Sequence, residues 1–104
     1  PNVSIIFGQA DGLAMGAAQA VAVAGLEDQV IVGGYDGDVA ALESLVACDT
    51  AFVVTATQST QAMGVLAVNS AIAVANGASV PARQIPNAVL TTCDDAAAFV
   101  ENHP

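Results

Sequence analysis

The chain has 104 residues, which is room for one domain and too little for two. Hydrophobic residues make up 55% of it and charged residues 11%, with Phe7, Phe52, Phe99 and Tyr35 as the only aromatics, so the core has to come from many small contacts or from burial against another chain. The net charge of −9, with Arg83 as the sole Lys or Arg, excludes a nucleic-acid surface, which needs several cations to displace phosphate counterions, and it disfavours an anionic membrane surface.

Short apolar runs alternate with longer helical ones. Residues 3–7 are a β-branched run that stops at Gly8. Residues 11–24 place Leu13, Ala17, Ala20, Val21 and Ala24 at helical spacing, and Gly25 ends the helix. Residues 29–33 repeat the strand pattern as Val30, Ile31 and Val32. A short helix follows over 38–47, with Val39, Leu42, Leu45 and Val46 on one side. Residues 51–55 read as a third strand centred on Phe52, Val53 and Val54. The longest helix covers 60–76, with Met63, Leu66, Ala67, Ser70, Ala71 and Val74 on its expected buried face and Gly77 at its end. A Pro-containing loop over 80–86 leads to a fourth strand at 87–92 and a terminal helix at 95–101.

This order predicts a single α/β domain over 1–104, a βαβαβαβ arrangement with right-handed crossovers. Near-continuous apolar strands imply a parallel sheet with helices on both faces, a three-layer fold like half of a flavodoxin-like unit. The apolar stretches are interrupted by Gly, Asn or Asp, so no membrane-inserting helix is expected. No segment reads as a secretory signal, because Pro1 is followed at once by a strand-like run. Cys48 and Cys93 match no metal spacing and are either two core thiols or one disulfide.

Four segments, in order, resemble the sugar-type periplasmic binding proteins. Residues 7–17, Phe-Gly-Gln-Ala-Asp-Gly-Leu-Ala-Met-Gly-Ala, are similar to that family's strand, Asn-Asp and Ala-Leu-Gly-Ala helix start. Residues 30–36, Val-Ile-Val-Gly-Gly-Tyr-Asp, resemble its strand ending in Gly-aromatic-Asp. Residues 58–68 resemble its Gln-x-Pro-x-x-Met-Gly-x-x-Ala-Val, with Thr60 in place of Pro. Ile85-Pro86 followed by Val89-Leu90-Thr91 matches its return strand. The resemblance implies the C-terminal portion of a two-lobed protein that closes over a sugar. This chain would hold the later part of the second lobe, two of the three lobe crossings, and one helix belonging to the first lobe.

The resemblance also implies which residues touch a ligand. Sugars are held by polar groups at the C-terminal ends of parallel strands, where a carboxylate accepts hydroxyl bonds and an amide both donates and accepts. Asp36 matches the family's sugar-binding Asp and Gln58 its hinge Gln, and Asp11 stands in the first motif. The family's Asn is Ala10 here, which removes one amide, and the first-lobe aromatics that sandwich the sugar are outside this sequence. Plainer readings stand beside these: Asp11 as a helix N-cap, Asp36 as a turn residue, Gln58 as a polar loop residue, and Asp94-Asp95 as a helix cap. Gly33-Gly34 fits no phosphate-cradling pattern. His103 reads as a solvated side chain without a partner, so neither a hydrolytic triad nor a His-ligated metal has support, and no cofactor is expected.

The leading expectation is a non-enzymatic sugar-binding module, a truncated relative of an ABC-transporter solute-binding protein, periplasmic or extracellular, with a small sugar as ligand. Loss of the first lobe would uncover the helix face around Met63, Leu66 and Val74, which favours a homo-oligomer. The alternatives are a structural α/β fragment without a ligand and the effector domain of a sugar-responsive repressor, although no helix-turn-helix segment is visible.

Overall fold

Three apolar runs become parallel strands and the fourth turns back against them. The computed structural model describes residues 2–101, so His103 lies outside the described residues. In chain order the elements are β1 (Ile5–Phe7), α1 (Asp11–Val23), β2 (Ile31–Asp36), α2 (Val39–Ala47), β3 (Phe52–Gln58), α3 (Thr60–Ala75), β4 (Ala88–Thr92) and α4 (Ala96–Glu101). Both β2 and β3 run three residues beyond their expected ends, so Asp36 and Gln58 are final strand residues rather than loop residues.

The sheet order is β1-β2-β3-β4. β1 pairs with β2 and β2 with β3 in parallel, while β3 and β4 are antiparallel, with Gln58 opposite Ala88 and Val54 opposite Thr92. The expectation of four parallel strands is therefore corrected at the last one, and α3 supplies the reason. Its 16 residues lead away from the end of β3 over about 24 Å, at the usual helical rise. The extended segment 78–87 then returns beside it, where Gln84 Nε2 donates to Ser70 Oγ at 3.1 Å. An excursion out and back re-enters the sheet at the end it left, which makes the next strand antiparallel. The long axis of the molecule, 57 Å against 33 and 16 Å, reflects this arm.

The helices line one face of the sheet, not both. Ala14 and Ala18 of α1, Ala41, Leu42 and Leu45 of α2, and Ala96 of α4 share one buried cluster with Val32 and Phe52. Consecutive strands β1, β2 and β3 step in one direction, and crossovers of one hand then deliver α1 and α2 to the same side. Residues that alternate with the core positions, Ile5, Phe7 and Ile31, are left exposed together with Leu90 of β4. The expected buried face of α3 is corrected too. No residue of α3 is buried: among the described residues the helix has no extensive packing against the sheet or another helix, and it lies beside the returning segment at Gln84 and Pro86.

Cys48 and Cys93 form a disulfide with a Cα–Cα distance of 5.6 Å, which resolves the open reading. It ties the C-cap of α2, where Cys48 takes a left-handed conformation (φ 49°), to the residue after β4. Cross-linking residues 45 apart restricts the unfolded chain by about 4 kcal/mol in the loop-entropy account.

Candidate functional site

The C-terminal ends of β2 and β3 lie side by side, with Asp36 in register with Thr57. There Gln58 Nε2 donates to Asp36 Oδ1 at 2.9 Å. Both side chains are half-buried, so each keeps surface facing solvent. Two residues 22 apart in sequence are thus brought into one polar pair, as expected where a parallel sheet opens into a crevice. Asp36 also holds an unfavourable backbone, with φ 119°. A non-glycine residue there is strained and persists only where its surroundings fix it, a condition that clusters at binding sites.

Asp11 lies behind that pair and is fully buried. It is the first residue of α1, and the cap position is Ala10, which makes no side-chain bond. The N-cap reading is therefore corrected: the carboxylate reaches across to other elements instead of back to its own helix. Asp11 Oδ2 accepts the backbone N–H of Gly37 at 2.7 Å and of Asp38 at 2.8 Å, and Oδ1 accepts the Thr55 hydroxyl at 2.6 Å. The first-turn position adds the favourable field of the helix N-terminus. A Cβ on Gly34 would collide with Asp11 Oδ1 and with Phe52 (3.0 Å), so only glycine leaves room for the carboxylate at this point of β2. Gly33 and Gly34 are buried strand residues, which accounts for them without a phosphate.

Three buried hydroxyls were not singled out from the sequence. Thr55 and Thr57 on β3 and Thr91 on β4 are all at most 2% exposed. Thr57 and Thr91 share a 2.7 Å hydrogen bond across the antiparallel pair. The available signal was period-two spacing: 55 and 57 alternate with half-buried Ala56 and point to the helix-covered face. Among the described residues, no buried side-chain polar atom lacks a partner. Asp95, just before α4, accepts from the Thr92 hydroxyl at 2.9 Å, a bond back to the last residue of β4.

Two cavities lie elsewhere. One of about 180 Å³ sits between α1 and α2 at the opposite end of the sheet, floored by Met15, Ala18 and Phe52. A groove of about 270 Å³ separates α3 from the returning segment at Gln84 and Pro86. Neither includes Asp36 or Gln58. Among the described residues no group of three or more His, Cys, Asp or Glu could hold a metal ion, and no helix is long and apolar enough to cross a membrane.

No family model and no curated protein matches the chain. Solved structures do. An ABC transporter solute-binding protein from Mycobacterium smegmatis with bound glycerol is 34% identical, with a TM-score of 0.84 over 96% of this chain and 34% of that one. One from Bacillus halodurans with bound myo-inositol is 30% identical, with a TM-score of 0.80 over 96% of this chain and 34% of that one. A periplasmic one from Actinobacillus succinogenes with bound D-allose is 27% identical, with a TM-score of 0.80 over 92% of this chain and 34% of that one. The chain therefore spans about a third of the length of the proteins it matches. The four-strand α/β unit has the fold of a part of these ABC-transporter solute-binding proteins, a portion of the type I periplasmic-binding-protein fold.

Proposed function

We propose that the chain is a single, non-enzymatic α/β module that contributes one wall of a binding site for a small sugar or polyol, with Asp36 and Gln58 as the ligand-contacting residues and Asp11 directly behind them. The observation that carries this reading is the strained, half-buried Asp36 bonded to Gln58 at adjacent parallel strand ends. A carboxylate and an amide so placed present acceptors and a donor to vicinal hydroxyls, the hydrogen-bonding pattern of a polyol. Glycerol, myo-inositol and D-allose in the similar structures support that ligand class. Ala10 offers no amide, and the chain spans only about a third of the length of the similar proteins, so affinity for the chain alone is weak. Calorimetry against a panel of pentoses, hexoses and polyols tests the reading. Heat of binding that Asp36→Ala abolishes supports it, and silence across the panel at millimolar sugar refutes it.

The module functions outside the cytoplasm, in a periplasmic or extracellular setting, where the Cys48–Cys93 disulfide persists. The uncovered apolar surfaces, Val65, Val68 and Ile72 on α3 and Ile5 and Phe7 on β1, favour a homodimer. A charge of −9 per copy opposes association, so salt should promote it. Sizing chromatography at low and high salt checks this: a monomer at both, at high protein concentration, refutes the dimer.

A further inference from the structure

The Asp11 carboxylate, fully buried, joins three elements at once. It accepts two consecutive N–H groups, those of Gly37 and Asp38, from the turn after β2, and it accepts the Thr55 hydroxyl from the middle of β3. Those two N–H groups belong to the residues that directly follow Asp36, whose φ of 119° is not one a free chain would keep. Gly37 is itself left-handed (φ 79°), and a Cβ there would meet Thr57 Cα at 2.8 Å, so the turn is pressed against β3. Asp36 then meets Gln58 on that same strand. We infer that Asp11 is a positioning residue for the sheet-end pair: its buried carboxylate clamps the Asp36-Gly37-Asp38 turn onto β3 and so holds the Asp36 carboxylate in the geometry that meets Gln58 and a polyol hydroxyl.

This role rests on the sugar-site reading, but the clamp has its own readout. Hydrogen exchange followed by NMR on the full chain reports the two clamped amides separately from the rest of the sheet. Asp11→Ala should speed exchange at Gly37 and Asp38 by about tenfold or more, the expected loss for hydrogen bonds to a charged acceptor. The Gly8 amide, which donates to the Gly33 carbonyl in the β1–β2 ladder, should keep its protection. Asp11→Asn should recover most of the effect, because an amide oxygen still accepts from the turn while its NH₂ donates to Thr55. If Asp11→Ala does not fold, Thr55→Val decides, since it removes the bond that aims the carboxylate and should loosen the same two amides. Unchanged exchange at Gly37 and Asp38, or an equal rise at Gly8, overturns the clamp. In the sugar arm, Asp11→Ala should weaken binding about tenfold with Asp36 and Gln58 intact. If the wild-type chain binds no sugar, the site reading fails while the exchange data still judge the clamp.

Discussion

At the end of the sheet, Asp11, Thr55, Asp36 and Gln58 each hold a partner from another element, whereas the 16 residues of α3 are mostly apolar and none is buried. The two regions invert the usual assignment of polar groups to the surface and apolar groups to the interior. Polar groups go inside when the turn amides and hydroxyls they meet are fixed by neighbouring strands, and among the described residues every buried side-chain polar atom has a bond. An apolar helix stays outside when the chain places it beyond the sheet that would cover it. A helix apolar on all sides is normally a buried one, and α3 has the returning segment along one side while none of its residues is buried. The sheet end is self-sufficient in this chain, while α3 has the composition of an interior element without the interior.

Substitutions can sharpen that contrast. The largest effect should come from the body: Phe52→Ala, at a side chain 1% exposed, should cost about 3–5 kcal/mol in chemical denaturation. So small a core gives little reserve against that loss. Reduction of Cys48–Cys93 should follow, at about 2–4 kcal/mol by thermal melting with and without reductant, and α4 should lose protection first. Thr91→Val should cost about 1–2 kcal/mol, since it strands the buried Thr57 hydroxyl between β3 and β4. The smallest should come from the arm: in dilute, low-salt solution, which disfavours association, Ile72→Ser, at a residue 55% exposed, should stay within about 0.5 kcal/mol. Under those conditions, a cost at Ile72 comparable to that at Phe52 would mean that α3 is buried within a single copy and would break the contrast.

Much of this was legible in the sequence, because alternation of short β-branched runs with Ala-rich helical ones fixes element order without any tertiary information. Helix α1 and helix α3 each ended within one residue of expectation, where Gly25 and Gly77 follow them. Asp36 and Gln58 stand out through their motifs, and their side chains hydrogen-bond to each other. The direction of β4 was not legible, because a strand reads the same in either sense, and only the route of α3 and 78–87 decides it. The covered face of the sheet was also out of reach: helices on both sides require a reversal of strand order, which local sequence does not encode. Asp11 at a helix start carries the pattern of a cap, and its partners at Gly37, Asp38 and Thr55 lie 26 to 44 residues away.

Titration of isotope-labelled chain with a sugar panel, followed at the Gln58 side-chain amide, probes the sheet end most directly. The expected result is a saturable shift of that resonance and of the Asp36 and Gly37 amides for at least one sugar or polyol, absent in Asp36→Ala. Resonances at this sheet end that stay fixed for every sugar, or that move only around α3, would contradict the account.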